Sequence, residues 1–78
     1  MNSKQKIVYR NTSKDDLKLI LEPWGGETII SPNSEIDIII DGDHSLGYLE
    51  FEYDHHTVII YGWQGSIIRI YENGKEVL

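Results

Sequence analysis

Three histidines, His44, His55 and His56, are the residues best suited to metal binding or acid–base chemistry in this chain. The absence of cysteine excludes a type 1 copper site, because that site requires a thiolate beside two imidazoles. Zinc ligands recur at short, fixed spacings that these histidines do not show. A zinc or nickel site built from His44, one of His55 and His56, and Asp54 is one interpretation, and solvated histidines at strand ends are the other.

Carboxylates offer two further kinds of chemistry. Residues 41–52 place oxygen-bearing side chains at several positions of a calcium loop, but Leu46 stands where that loop requires glycine. Glu50 and Glu52 lie two apart, which sets them about 6.5–7 Å apart on a strand, within the range that glycoside hydrolysis uses. A flat strand lacks the cleft that raises one carboxyl pKa. We therefore expect a charged outer surface, no cofactor, no metal and no enzymatic activity.

The composition favours strands as the elements that position these residues. The chain has 78 residues, no alanine and 13 isoleucines, so the best helix former is missing and β-branched residues are abundant. No linker or repeat interrupts it. We predict one all-β domain over residues 1–78, of a size that buries only a modest core.

Short alternating segments separated by turn residues predict a Greek-key β-sandwich or partly open barrel of about seven strands. The segments are residues 6–10, 17–22, 27–30, 35–40, 48–53, 57–61, 66–72 and 75–78. Side chains expected to face the core alternate along three of them: Leu17, Leu19 and Leu21; Ile36, Ile38 and Ile40; Leu49, Phe51 and Tyr53.

The last third of the chain predicts a three-stranded meander. Asn73 and Gly74 favour a two-residue hairpin turn, because both of its central positions need φ > 0. That turn sets Glu72 opposite Lys75. If residues 62–65 form a second hairpin loop, Ile67 faces Ile60. An outer apolar face then follows, consisting of Val58, Ile60, Ile67 and Tyr71.

Two tryptophans sit in glycine-bearing turns, Trp24 in Pro-Trp-Gly-Gly and Trp63 in Gly-Trp-Gln-Gly. A tryptophan that points outward from a rigid turn anchors an interface. One that folds back covers the open end of a small core. The sequence favours the second arrangement and leaves the first open.

Charge is unevenly distributed. The formal net charge is -6, and nine acidic residues but no Lys or Arg lie between Lys18 and Arg69. Phosphate backbones demand a basic surface, so we expect no nucleic-acid binding. A basic protein partner fits this field, although such acids also serve solubility. With a polar N-terminus and short apolar runs, we expect no membrane segment and a cytoplasmic location.

Four motifs carry a resemblance that covers most of the chain. They are Leu-Glu-Pro-Trp-Gly at residues 21–25, Ser-Pro-Asn-Ser-Glu-Ile at 31–36, Gly-Tyr-Leu-Glu at 47–50 and Tyr-Gly-Trp-Gln-Gly-Ser at 61–66. Together they resemble small uncharacterised bacterial all-β proteins. The segment before Ile36 is also similar to cupredoxin-like sandwiches, here without the copper ligands. The resemblance implies a fold and no activity.

These observations favour a non-enzymatic protein-interaction module, which either binds a partner or associates with itself through the C-terminal meander. Its predicted contact residues are Val58, Ile60, Ile67, Tyr71, Trp63, Gln64, Tyr48, Glu50 and Glu52. One alternative is an acidic inhibitor or immunity-type protein that binds a basic partner. Another is a small metal-binding protein or enzyme.

Overall fold

The computed structural model describes residues 2–78, which form eight strands in two four-stranded sheets. The strands are β1 (Asn2–Arg10), β2 (Leu17–Glu22), β3 (Gly26–Ile30), β4 (Glu35–Asp43), β5 (Glu50–Asp54), β6 (Thr57–Tyr61), β7 (Ile67–Glu72) and β8 (Lys75–Glu76). Sheet A has the order β1-β4-β7-β8, and sheet B has the order β3-β2-β6-β5. All neighbours are antiparallel except β2 and β6, which are parallel. No helix in the described part of the chain has the length and apolarity that a membrane crossing requires.

The two sheets pack face to face as a sandwich and do not close into a barrel, so the predicted all-β sandwich is confirmed. Each strand of the core has alternate side chains turned toward the other sheet, as the period of two requires. Sheet A contributes Ile36, Ile38, Ile40, Ile68 and Ile70; sheet B contributes Leu17, Leu19, Leu21, Ile30, Val58 and Ile60. The alternation predicted for residues 17–22 and 35–40 is therefore confirmed.

The predicted hairpin between β6 and β7 is wrong. After β6 the chain crosses from sheet B to sheet A, so β6 pairs with β2 and β5 while β7 pairs with β4 and β8. Ile60 therefore lies opposite Leu21 and Phe51 and not opposite Ile67. Because the two strands belong to facing sheets, both contribute their alternate residues to one shared core.

The predicted hairpin between β7 and β8 is confirmed. Asn73 and Gly74 both have positive φ, and Glu72 lies opposite Lys75. Beyond β8, the N–H groups of Val77 and Leu78 both donate to the Ile70 carbonyl, at 2.8 and 3.3 Å. This two-to-one arrangement is a β-bulge, which ends the regular pairing of this edge.

At one end of the sandwich, Asn11 joins two of the chain's crossings between the sheets. Its side chain is buried and donates to the carbonyls of Asp15 and Ile30, each at 2.9 Å. The Asn11 amide oxygen accepts from the N–H and hydroxyl of Ser13. Its backbone N–H donates to Ser34 on the connection from β3 to β4. Every polar group of this buried side chain is thereby satisfied.

At the other end, Trp63 joins the remaining two crossings. Its indole Nε1 donates to the Asp43 carbonyl at 3.1 Å, and its ring lies against Gly42 and Gly47. A Cβ on Gly47 would lie 2.5 Å from the Trp63 Cβ, so only glycine permits this approach. The Ser66 hydroxyl holds the loop by accepting from the Trp63 N–H and donating to its carbonyl.

The hairpin from β5 to β6 turns on His55 and His56, both with positive φ of 48° and 61°. This conformation is rare for residues other than glycine, although histidine is among those that adopt it more often. Asp54 and Thr57 flank the turn as a pair. The backbone here matches the turn that Asn-Gly sequences prefer, but the sequence lacks that signature.

We predict that Ile60→Ala lowers the free energy of unfolding by about 3 kcal/mol, because it leaves a cavity in the core. Ile60 is 0 % exposed, whereas Ile67, which the sequence placed on the same face, is 51 % exposed. Ile67→Ala should therefore cost less than about 0.5–1 kcal/mol. Urea denaturation measures both values. Equal losses for the two variants would contradict the crossing from sheet B to sheet A.

We predict that the double substitution His55→Asn with His56→Gly raises the free energy of unfolding by about 1 kcal/mol, because Asn and Gly adopt positive φ more readily than the two histidines. The reverse exchange, Asn73→His with Gly74→His in the other tight turn, should lower it by a similar amount. Thermal and urea unfolding of both variants test the pair. The explanation fails if the first exchange leaves stability unchanged while the second lowers it.

Candidate functional site

The structure separates the residues that the sequence grouped into one contact surface. Val58 and Ile60 are in the core, at 3 % and 0 % exposure, so their predicted place on an outer face is wrong. Ile67 and Tyr71 are on the outer face of sheet A. The predicted contact surface requires a continuous meander. The crossing after β6 instead places the two halves of that segment in opposite sheets. Self-association through that meander loses its structural basis.

Trp63 does not point outward from the tip of a hairpin, as the predicted contact surface requires. The Trp63 ring is half-buried against two glycines and covers the end of the core, as the favoured interpretation expected. Trp24 remains half exposed and lies against Gly62. Gln64 and Tyr48 are exposed in the two crossing loops at this end. They are accessible, but neither lies on a strand that fixes its direction.

The outer face of sheet B carries an apolar centre surrounded by carboxylates, which we call the acidic face. Ile20 and Ile59 are cross-strand neighbours at its middle. Glu27 is next to Ile20 in the same row, and Glu52 is next to Ile59. Side chains in such a row share one face of the sheet. The acidic face consists of Glu22, Glu27, Glu50, Glu52, Asp54, Ile20, Ile59 and Tyr61.

Tyr61 lies in the adjacent row of this face, between Glu22 and Glu50. Its hydroxyl donates to Glu52 Oε1 at 2.7 Å. That bond, together with desolvation and the negative charges of Glu52, Glu22 and Glu50, raises the pKa of Tyr61 above its ordinary value. The tyrosine thus stays neutral and holds one carboxylate at a fixed position beside the apolar centre.

Few cations compensate these acids. Lys18 is the one basic residue among the strand residues whose side chains form this outer face, and its Nζ lies 3.9 Å from Glu27. On the outer face of sheet A, by contrast, Arg10 pairs with Glu35 at 2.6 Å and Lys6 with Asp37 at 3.6 Å. The two outer faces therefore differ: sheet A is largely neutralised by its own pairs, and sheet B presents an excess of negative charge.

The sequence identified Glu50 and Glu52 but missed Glu22, Glu27 and Tyr61. Alternation along β2 does place Glu22 outward, opposite to the buried leucines. Glu22 joins Tyr61 only through the parallel pairing of β2 with β6, and three strands lie between these two in the chain. No local pattern predicts that pairing, because parallel neighbours need a long connection and leave no turn signal between them.

β5 is an edge strand whose five residues are all exposed. Phe51 and Tyr53 lie opposite Ile60 and Val58, so they share the core side of sheet B as predicted. They nevertheless remain 43 % and 61 % exposed. Two aromatic side chains on one side of β5 and three acids on the other are thus accessible together.

Two cavities lie elsewhere. A groove of about 380 Å³ on the outer face of sheet A is lined by residues that include Arg69, Ile39 and Tyr71. An apolar cavity of about 330 Å³ lies between Trp24 and Leu78 at the end of the sandwich. The groove mixes acidic and basic side chains that pair with one another, and the apolar cavity has few polar groups to orient a ligand.

The histidines do not assemble the metal site considered above. His44 follows β4 at one end of the sandwich, and β5 carries the chain to the opposite end before His55 and His56. His44 Nε2 bonds to the Ser3 hydroxyl, and His55 Nδ1 lies 2.5 Å from Asp54. Across residues 2–78, no three His, Cys, Asp or Glu side chains are arranged to hold a metal ion.

The calcium-loop interpretation also lacks its geometry. β4 continues through Asp43, so the first residues of the supposed loop are in a strand. The Asp43 carboxylate accepts from the hydroxyl and N–H of Ser45, at 2.7 and 2.9 Å. These bonds lower the pKa of Asp43 to about 2. Through these bonds the carboxylate stabilises the turn that starts the crossing from β4 to β5.

Comparison of the chain with protein-family models, with curated proteins and with solved structures found no match. The geometry of the acidic face and of β5 is therefore the basis for inferring function.

We predict that Glu52→Gln lowers the pKa of Tyr61 toward the ordinary value of 10.0, because the neutral amide removes both the ionic hydrogen bond and a nearby negative charge. In the native protein, the raised pKa means that neutral Tyr61 stabilises the folded state. This contribution to the free energy of unfolding is complete below about pH 10 and is lost as the pH rises through the folded pKa of Tyr61. NMR titration of the Tyr61 ring gives the value. Glu35→Gln, on the other sheet, is the control, and an unchanged pKa in Glu52→Gln would contradict the described bond.

Proposed function

We propose that this protein is a non-enzymatic interaction module that binds the basic surface of another protein through the acidic face. The observation that carries the proposal is the arrangement of five carboxylates around Ile20, Ile59 and Tyr61, with Lys18 as the one cation among these strand side chains. The apolar centre provides area to bury, and the surrounding acids provide orientation and charge selectivity.

The arrangement goes beyond what solubility needs. Acids that only keep a domain soluble are interspersed with bases, as on the outer face of sheet A, where Arg10 and Lys6 are paired. On sheet B the acids remain mostly uncompensated and surround half-buried isoleucines. A partner with Lys or Arg around an apolar contact would neutralise the rim and cover the centre in one step.

The negative net charge also favours fast association with a basic partner. A formal charge of -6 on a 78-residue chain creates a field that draws a basic partner toward the protein before contact. Such steering weakens as salt rises, because exposed charges are screened beyond about 8–10 Å at physiological ionic strength. Binding through the acidic face should therefore be salt-dependent.

An inhibitor or immunity-type protein is a special case of this function. It would place the acidic face over a basic enzyme site, and the same charge complementarity would support it. The feature that favours an inhibitor is the rigid support of the acidic face. Tyr61 donates to Glu52, and the central strands β2 and β6 carry core residues on their opposite side. Partner identity decides between simple binding and inhibition.

We predict that Glu50→Lys with Glu52→Lys weakens binding to the natural partner by about tenfold or more, because two attractive contacts become repulsive. The partner is first captured from a cell extract with the unmodified protein, then purified and titrated by calorimetry at two salt concentrations. The matched control is Asp15→Lys with Asp16→Lys, which changes the net charge equally in the exposed connection from β1 to β2.

The two variants separate specific binding from general charge attraction. The control should retain most of the affinity, and the acidic-face variant should not. Equal losses in both would show that only net charge matters, and full affinity in the acidic-face variant would remove the proposal. Urea denaturation of each variant confirms that it is folded at the assay temperature.

A further inference from the structure

The free edge of β5 has the geometry of a strand-pairing site. In a two-residue hairpin the residues that flank the turn exchange both hydrogen bonds, here Asp54 with Thr57. By alternation, Glu52 and Glu50 also direct their backbone groups to β6. The N–H and C=O groups of Phe51 and Tyr53 therefore point away from β6, along an edge that pairs with no other strand of residues 2–78.

This edge lacks the devices that protect β1 and β8, the two edges of sheet A. Edge strands are commonly blunted by lysines, proline, bulges or short length. β1 carries Lys4 and Lys6, and β8 is two residues long and ends at the bulge formed by Val77 and Leu78. β5 has regular pairing over all five residues, no lysine and no proline.

We propose that β5 accepts an extended segment of a partner protein as an antiparallel fifth strand of sheet B, and that this segment alternates basic and apolar residues. The proposal rests on the proposed function and identifies how the partner is bound. Phe51 and Tyr53 on one side of β5 offer exposed aromatic area to the apolar residues. Glu50, Glu52 and Asp54 on the other side pair with the basic ones.

Main-chain hydrogen bonds would then supply affinity, and the alternation would supply specificity, as in other strand additions. A segment in the wrong register by one residue would place its basic side chains beside Phe51 and Tyr53 and its apolar side chains beside the acids. Register is therefore selected by charge and by apolar contact at the same time.

A second copy of this chain is a poorer occupant of the same edge. Two β5 strands paired antiparallel about a two-fold axis have their outer faces on the same side of the joint sheet. Glu50, Glu52 and Asp54 of one copy would then lie beside the same acids of the other. Like charges placed opposite one another destabilise a pair of strands, so the edge favours a basic partner segment.

The test uses a fluorescein-labelled synthetic peptide, Gly-Lys-Val-Lys-Val-Lys-Gly, and the full chain. Its three lysines can face the acids of β5 while its two valines face Phe51 and Tyr53. We expect saturable binding by fluorescence anisotropy that weakens with salt, and slower amide hydrogen exchange at Phe51 and Tyr53 in the complex.

Two control peptides isolate strand addition. Methylating both valine nitrogens keeps the charges and side chains but removes the donors that face β5, and should weaken binding by about tenfold or more. A peptide of the same composition with its lysines consecutive should also bind more weakly. Equal binding of the N-methylated peptide would overturn strand addition while leaving the acidic face as a binding surface.

Protein variants provide a second, independent measurement. Tyr53→Pro removes the aromatic ring together with an N–H that points to the free edge, and a proline is tolerated at such a position. It should abolish the slowed exchange at Phe51 and weaken peptide binding. Tyr53→Thr also lacks the ring but keeps the N–H, so it should bind more tightly than the proline variant. If Tyr53→Pro and Tyr53→Thr bind the peptide equally, strand addition is wrong. That result does not depend on how the Glu50→Lys with Glu52→Lys protein binds its natural partner.

Discussion

The structure depends on satisfying the backbone where the chain passes from one sheet to the other. This two-layer sandwich has four such crossings, and the peptide groups of each crossing cannot pair within a sheet. Asn11 joins two crossings at one end by donating to Asp15 and Ile30 and by its backbone bond to Ser34. Trp63 joins the other two at the opposite end through Asp43 and the two glycines that its ring covers. With both ends tied, the sheets are held over a core that consists almost entirely of isoleucine and leucine.

This arrangement leaves the outer faces free to differ. Because each sheet has only one covered side, the residues that alternate with the core residues have no structural task beyond pairing across strands. Sheet A uses that freedom for ion pairs between β1 and β4, such as Arg10 with Glu35. Sheet B uses it for acids around Ile20 and Ile59, among which Glu27 lies near Lys18. The contrast between the two faces is the observation on which the proposed binding surface depends.

Much of the fold could be predicted from local patterns. The leucines of β2 and the isoleucines of β4 alternate without ambiguity, and Asn73 with Gly74 fixed the last hairpin through its conformational requirement. The connection at residues 62–66 misled the prediction because a short glycine-bearing loop suits both a hairpin and a crossing. Ile59 and Ile60 are equally apolar, so composition could not determine which one is in the core. Only the pairing of β6 with β2 and β5 decides it.

The candidate site was predictable to the same limited extent, since Glu50 and Glu52 were visible as an acidic row and their partners on β2 were not. The acids of β5 have two physical consequences that arise from one property. Placed beside a second copy of the same strand, they repel it, which keeps an otherwise unprotected edge from pairing with itself. Placed beside a basic segment, they attract it and determine its register. A lysine-protected edge such as that of β1 would reject the same basic partner. The acids on β5 therefore make this edge selective by charge, and the exposed rings of Phe51 and Tyr53 lie on the other side of the same strand.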